Sequence, residues 1–247
     1  DPDLRFAMSS LSAATNIRFI GGDPEQIATI RNRVGVRWAA NDLQMDVVTT
    51  SEKISDLADA EHWLARIKPP IVVRTLREKS RRAHSIGQAR AEIARSLEQG
   101  PLVIETLVDG AREIETVMFA SGNEMPVCLG EVEMTLRIDG QKAVAEYPPI
   151  GIQEEYLVKL RKQAAQLILG ARWEGIIAAR FLVTPDGRPY FLQLVPGIQP
   201  WHLAIAHALG INLFDAEIRL AMGDDLGWEQ KDVAYRGHTI TLQIYSA

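Results

Sequence analysis

The segment Arg188–His202, which reads RPYFLQLVPGIQPWH, carries side chains that could take part in binding or catalysis. A run of β-forming residues is broken by a Pro-Gly pair and leads into an apolar helix start. His202 and His207 are five residues apart, so they do not share one face of a helix, and no cysteine or carboxylate completes a zinc set. We therefore interpret both histidines as polar residues at a helix edge.

Nucleophilic chemistry finds little support in the sequence. Cys128 lies within the apolar stretch PVCLG, which favours an inert buried thiol over a nucleophile. The chain contains no G-x-S-x-G motif and no P-loop, and its Ser, His and Asp residues show no recognisable triad order.

Composition excludes several classes of protein. The 247 residues are 47% hydrophobic, which is enough for a sizeable core, and the net charge of -5 argues against a general nucleic-acid binder. No apolar run reaches the ~18 residues of a membrane helix. A single cysteine favours a reducing compartment, so we expect a cytoplasmic protein that binds neither nucleic acid nor membrane.

Periodicity predicts an α+β chain. In the first half we expect helices over 3–15, 56–67 and 88–98, and a further helix that begins at Pro24, with Asp23, Pro24 and Gln26 forming a capping box. Strands are expected over 17–20, 46–50 and 71–74. Further strands are predicted over 101–105, 113–119, 127–131 and 141–147.

The second half contains the clearest helix, 153–169, with Gly170 placed for its C-cap. Strands 175–183 and 188–194 are joined by Thr184-Pro185-Asp186-Gly187, which predicts a hairpin. Helices over 201–209 and 213–222 each precede a glycine, and a half-buried strand is predicted over 238–245.

Four short motifs together resemble the biotin carboxylases of the ATP-grasp superfamily. They are FIGG-x-P-E-x-I from Phe19, GEVE from Gly130, I-x-L-A-M-G-D from Ile218, and RGH from Arg236. The resemblance covers essentially the whole chain and implies an ATP-grasp fold with a mobile lid. It also implies that most of the family's N-terminal Rossmann-like domain lies outside this sequence, which gives a pre-grasp region over 1–47, a lid over 48–106 and a grasp body over 107–247.

At the metal site, this sequence departs from the family's pattern. Phe191, Ile198, Gln199 and His202 match the family strand, but Arg180 and Gln193 replace its two acidic magnesium ligands. An arginine at a metal position repels the ion, so we expect no metal ligands here. Gly197 and Trp201 replace the arginine and the acid that handle bicarbonate and biotin.

The resemblance implies partly altered nucleotide contacts. Arg33 and Arg74 stand where the family has phosphate-binding lysines, and the lid loop Thr75–Arg82 contains no glycine. Glu105, Thr106 and Leu107 match the hinge that contacts adenine, largely through backbone, and Leu182 matches a further nucleotide contact.

Lys142 matches the family's lysine beside the reaction centre and is the one retained catalytic candidate, although a solvated strand lysine is the commoner structural role. Gln199 and His202 are the candidate residues of the substrate region. Our leading hypothesis is a biotin-carboxylase-like pseudoenzyme acting as a structural or regulatory component of a carboxylase complex. Its expected partners are the carrier protein, the carboxyltransferase or an intact biotin carboxylase, in a homo- or hetero-oligomer.

The alternative hypothesis is an active ATP-dependent carboxylase or ligase in which Glu131, Glu133 and Glu146 supply relocated metal ligands. ATP and magnesium are possible cofactors under both hypotheses, although the replaced ligands disfavour them. Carrier-bound biotin is a cofactor only of the active enzyme.

Overall fold

A computed structural model describes residues 2–15, 17, 19–75, 80–138, 141–234 and 237–244 of the protein. Two compact units are distinguished by their internal contacts. One comprises Asp1–Val47 and Ala111–Ala247, and the other comprises Val48–Gly110.

The smaller unit is a three-stranded antiparallel sheet packed against two helices. Its elements are α4 (Leu57–Leu64), β1 (Ile71–Thr75), β2 (Ser80–Ala83), α5 (Ile86–Leu97) and β3 (Leu102–Thr106). The strand order is β2-β1-β3. Ile71, Ile93 and Ile104 are at most 1% exposed and belong to one apolar core confined to this unit.

The larger unit is organised by a six-stranded antiparallel sheet. Its strands are β4 (Arg112–Ser121), β5 (Val127–Glu133), β8 (Val144–Tyr147), β9 (Glu174–Val183), β10 (Pro189–Pro196) and β11 (Thr239–Leu242), in the order β10-β9-β4-β5-β8-β11. Two short strands, β6 (Arg137–Ile138) and β7 (Gln141–Lys142), pair with each other beside it.

Helices cover both faces of this sheet. They are α1 (Pro2–Thr15), α2 (Pro24–Arg31), α3 (Arg33–Asp42), α6 (Glu154–Gly170), α7 (Leu203–Leu209) and α8 (Leu213–Met222), with 3-10 turns at Pro200–His202 and Gln230–Asp232. Alternate residues of the strands enter two cores: Ile114 and Phe181 pack with α6, whereas Val117 and Ala178 pack with α7. Within the described residues, no helix is both long and apolar enough to cross a bilayer.

Several local predictions are confirmed. The fold is α+β, Asp23 and Gln26 form the capping box that opens α2, and the Thr184–Gly187 turn closes the β9–β10 hairpin. Gly210 and Gly223 end α7 and α8 in the left-handed conformation. The buried position of Cys128 is also confirmed.

Other predictions are wrong. Residues 17, 19 and 20 form no strand; they belong to the connection between α1 and the Gly21–Gly22 turn, where Phe19 packs against the core while Ile17 and Ile20 are exposed. The predicted strand over 46–50 is reduced to isolated bridges at Val47 and Thr50, where the chain passes between the two units. The predicted strand over 141–147 is interrupted at Ala143.

The ends of two further elements differ from prediction. α6 continues through Gly170 and is capped by Ala171, so Gly170 is not the C-cap. In β11 the threonines are half-buried and the apolar Ile240 and Leu242 are 58% and 67% exposed, the reverse of the orientation that a half-buried apolar strand requires. Leu76–Lys79 of the lid loop, Arg236 of the RGH motif and Tyr245 lie outside the described residues.

Candidate functional site

Glu115 of the larger unit is fully buried, with 0% exposure. Glu115 lies on β4 directly opposite Arg180 of β9 in the antiparallel register. Nε and Nη2 of Arg180 donate to Oε1 of Glu115 at 2.8 and 2.6 Å. A charge-assisted pair of this kind is shorter and stronger than a neutral hydrogen bond.

The second oxygen of Glu115 is bound from the loop that follows β10. Nε1 of Trp201 donates to Oε2 at 2.6 Å, and Nε2 of His202 lies 2.8 Å from the same oxygen. Nδ1 of His202 accepts the backbone N–H of Gln199 at 3.2 Å, so the ring proton must be on Nε2. His202 is therefore a neutral donor to Glu115, and both oxygens of the carboxylate are engaged.

Electrostatics of the site follow from this arrangement. Burial raises the pKa of Glu115, but Arg180, His202 and Lys142 outweigh burial and hold the pKa well below the ordinary 4.5. Glu115 is thus ionised in the folded protein throughout the neutral range.

A second acid and a second cation adjoin this pair. Nζ of Lys142 lies 3.1 Å from Oε1 of Glu113 and 3.6 Å from Oε1 of Glu115, and Nε of Arg180 lies 3.3 Å from Oε1 of Glu113. The Lys142 ammonium also lies 4.0 Å from the ring centroid of Trp201, a cation–π contact. With two acids, two bases and a neutral histidine, these groups balance in charge. We call them the ionic cluster: Glu113, Glu115, Lys142, Arg180, Trp201 and His202.

Two corrections concern predicted residues in this cluster. His202 is 0% exposed and bonded to Glu115, so its interpretation as a polar helix edge is wrong, whereas His207 is exposed as expected. The Lys142 side chain is only 10% exposed, so it does not lie on a solvated face. Burial and the neighbouring Arg180 lower the pKa of Lys142, although both glutamates oppose this shift.

Gln193, Gln199 and Leu182 lie beside the cluster, and Leu182 of β9 is the register partner of Glu113. Gln193 is half-buried on β10 and is the register partner of Arg180. The Gln199 amide donates to the carbonyls of Pro196 and Gly197, both at 3.4 Å, and so fixes the turn before Trp201.

In the smaller unit, two predicted nucleotide contacts bind each other. Nε and Nη2 of Arg74 donate to Oε2 of Glu105 at 3.1 and 3.0 Å, and Glu105 is 3% exposed. The backbone N–H groups of Thr106 and Leu107 donate to the carbonyls of Thr49 and Pro70. Arg33, in the larger unit, is an exposed residue at the start of α3 and is not part of the ionic cluster.

The three acids considered as relocated metal ligands are each paired elsewhere. Glu131 binds Arg161 at 2.8 Å, Glu133 binds Arg112, and Glu146 lies 3.0 Å from His238. Within the described ranges, no three His, Cys, Asp or Glu residues are grouped in a way that could hold a metal ion.

The centre of the site is not predicted from the sequence. No motif identifies Glu115, and the family resemblance identifies Trp201 only as the replacement of an acid. A signal was available, because Glu113 and Glu115 share one face of a strand that continues with Val117 and Phe119. Two acids on an otherwise apolar strand face require buried partners.

Comparisons with known proteins agree on family and fold. Residues 32–229 match the family model described as "Carbamoyl-phosphate synthase L chain, ATP binding domain". Biotin carboxylase 2 of Bacillus subtilis is 26% identical over 247 residues, covering 94% of this chain and 55% of that protein. The chain thus spans about half the length of the curated relatives it matches.

Solved structures show the same fold, the α+β ATP-grasp fold of biotin carboxylase domains. A biotin carboxylase complex with β-γ-ATP from Campylobacter jejuni superposes with a TM-score of 0.85 at 19% identity, covering 95% of this chain and 55% of that chain. The biotin carboxylase domain dimer of Hydrogenobacter thermophilus 2-oxoglutarate carboxylase gives 0.83 at 19% identity with the same coverage, and it contains MgADP, ADP and bicarbonate. The predicted ATP-grasp fold is confirmed.

Proposed function

The chain belongs to the carbamoyl-phosphate synthase L chain, ATP binding domain family, and on that basis we propose that it is a biotin-carboxylase-like ATP-grasp protein without metal-dependent phosphoryl transfer. Its role in this proposal is structural or regulatory, as a component of a biotin-dependent carboxylase complex.

The saturated carboxylate of Glu115 is the observation that carries the proposal. Magnesium takes oxygen ligands in a near-octahedral shell, so a carboxylate must offer it a free lone pair. Arg180, Trp201 and His202 already donate to both oxygens of Glu115. The ionic cluster therefore does not fit a magnesium ion, because ligation would require breaking buried charge-assisted bonds and placing the ion against a guanidinium.

The Arg74–Glu105 pair supports the same conclusion from the smaller unit. The Arg74 guanidinium directs Nε and Nη2 to one carboxylate oxygen of Glu105. A phosphate would have to compete with this nearly buried acid for the same donors. Arg74 is thus a weaker phosphate ligand than an uncommitted lysine at that position.

The partner class comes from the relatives. One solved relative is the biotin carboxylase domain of a 2-oxoglutarate carboxylase and forms a dimer. We therefore expect this chain to associate with a biotin carrier protein, a carboxyltransferase or an intact biotin carboxylase. The active-ligase alternative has less support, because Glu131, Glu133 and Glu146 are separately paired.

Calorimetric titration with ATP, with and without magnesium, tests the loss of catalysis. We expect no magnesium-dependent heat up to millimolar nucleotide, and no ATP-dependent carboxylation of free biotin. Bacillus subtilis biotin carboxylase 2 serves as the positive control. Micromolar, magnesium-dependent binding with biotin-dependent ADP release would refute the proposal.

Co-elution on a sizing column tests the role in a complex. The purified chain is mixed with an intact biotin carboxylase, a carrier protein and a carboxyltransferase from the same source. A stable complex in the absence of nucleotide is expected. Failure to associate with any of the three would remove the proposed role while leaving the catalytic conclusion intact.

A further inference from the structure

We propose that a cavity between α6, the start of β5 and residues 226–233 binds a small amphipathic anion, namely an apolar chain that carries one carboxylate. Residues 226–233 are called the strap below. The cavity shares no residue with the ionic cluster.

The cavity has the size and the lining of a small-molecule site. Its volume is about 740 Å³, within the range of about 300–1,000 Å³ typical of ligand pockets. Met118 and Val127 of the sheet form one wall, Ala165 of α6 forms another, and Trp228 and Val233 of the strap complete it. Such walls suit an aliphatic chain.

The strap is fixed in place without a ligand. The Gln230 amide donates to the carbonyl of Cys128 at 3.0 Å and accepts the Cys128 N–H at 2.8 Å, as a neighbouring strand would. The Trp228 ring lies 5.0 Å from that of Phe119. The apolar walls are therefore pre-organised, which lowers the entropy lost on binding.

Two cationic side chains line the cavity, and only one is already neutralised. Arg161 donates to Glu131 and Glu154 at 2.6–2.9 Å. Lys162 is exposed and, in the described part of the chain, no carboxylate pairs with it. An anion at the mouth of the cavity would supply that missing partner.

The acidic residues of the lining do not supply it. Glu229 is bound by Lys231 at 2.7 Å. Glu124 lies in the exposed β4–β5 turn, where it accepts the Ser121 hydroxyl at 3.4 Å. A ligand whose carboxylate binds Lys162 and whose chain is directed toward Trp228 pairs with the charge of the lysine and packs against the apolar walls. A polyanion would meet repulsion from Glu124 and Glu229.

Methyl NMR with ¹³C-methyl methionine tests the site, using octanoate as the probe and octanol as its neutral analogue. The chain has six methionines, of which Met118 and Met125 line the cavity and Met8, Met45, Met134 and Met222 do not. We expect octanoate to shift the Met118 and Met125 signals in a saturable way and to leave the other four unchanged.

Three variants separate charge from shape. Lys162→Met should weaken octanoate binding about 2–5-fold, the loss of one partly exposed ion pair, and leave octanol unchanged. Lys159→Met, an exposed lysine of the same helix outside the cavity, is the matched control and should change neither. Ala165→Phe should abolish binding of both probes by filling the cavity.

Unchanged Met45 and Met134 signals in Ala165→Phe would verify its fold. If that variant fails to fold, Val233→Trp fills the cavity from the strap side instead. The proposal is overturned if octanoate shifts all the methionines or none of the cavity pair. It is equally overturned if Lys162→Met binds octanoate as tightly as the unchanged protein, or if a folded cavity-filling variant still binds.

Discussion

At the scale of single residues, Glu115 decides what the site can do. Its carboxylate is completely removed from water and receives donors from three side chains on both oxygens. Such a group is stable only because its partners replace the lost hydration. Removing one partner therefore costs far more than removing a similar pair at the surface.

Replacing Arg180 by Ala tests this directly. We expect the free energy of unfolding to fall by about 3–5 kcal/mol, because Glu115 is left buried with an uncompensated charge. Arg188→Ala, which breaks the exposed Arg188–Asp46 pair on the same hairpin, should leave the urea midpoint close to that of the unchanged protein. Equal effects in urea titrations would show that the buried pair has no special role.

The acid stability of the protein should depend on Glu115. Its pKa in the folded state lies below the ordinary 4.5, so its contribution is complete above that pH and is lost as the pH falls through the folded value. Glu115→Gln should therefore lose less stability than the unchanged protein between about pH 5 and pH 3. Urea unfolding across this range measures the difference.

Glu131→Gln provides a control of opposite sign. Burial raises the pKa of Glu131 despite the nearby Arg161, so this group favours the folded state increasingly as the pH falls. Its removal should make the acid loss of stability steeper. If stability falls with pH in the same way for the unchanged protein, Glu115→Gln and Glu131→Gln, the pKa directions assigned to Glu115 and Glu131 are both wrong.

The sequence predicts part of this site, namely the positions of Arg180 and Gln193. The family resemblance places Arg180 and Gln193 where the family has one acid on each strand of the hairpin, and the structure makes the two residues register partners. The sequence does not predict that Trp201 and His202 contact Glu115, because Trp201 is 86 residues and His202 is 87 residues away from Glu115 in the chain. Contacts across such distances are set by the sheet register and the turn at Gly197, which no local pattern specifies.

At the scale of elements, local chemistry predicted boundaries well where capping or turn residues set them. The capping box of α2 and the β9–β10 hairpin depend on neighbouring residues alone. The errors arose where tertiary contacts override local preference: α6 runs past Gly170, and β11 directs its apolar side chains outward. Periodicity shows which residues share a face but not which face is buried.

Gly130 lies in the middle of β5, where the backbone and a neighbouring side chain restrict which residue the strand can accept. Its φ is +138°, and an added Cβ would lie 2.5 Å from Cε2 of the buried Tyr147. We expect Gly130→Ala to lower the free energy of unfolding by about 2–5 kcal/mol, from backbone strain together with overpacking. Gly100→Ala shares the positive φ but meets no atom within 4 Å, so chemical denaturation should show a smaller loss. A Gly130→Ala loss no larger than that of Gly100→Ala would exclude the clash.

At the scale of the whole molecule, the chain contains separate apolar cores. The core around Ile71, Ile93 and Leu102 lies entirely within Val48–Gly110, whereas Leu160 and Phe181 belong to a core of the larger unit. The family resemblance implies a lid over 48–106, and that lid remains a prediction.

Separate cores predict separate unfolding. Scanning calorimetry should show two transitions, because each unit has an apolar core of its own. Ile93→Ala and Leu160→Ala should each destabilise one transition by about 2–5 kcal/mol and leave the other in place. A single transition that both variants lower equally would show that the units unfold as one.

The double engagement of Glu115 also limits how the site could be redesigned. A metal centre there would need Arg180 removed and a further acid supplied. Either change made alone leaves buried charge unbalanced, at a cost of about 3–5 kcal/mol, against a total stability of about 5–15 kcal/mol for a typical domain. A variant that carries only one of these changes is therefore poorly folded. A metal-binding site could evolve here only if several substitutions occurred together, or if other substitutions had first stabilised the protein elsewhere.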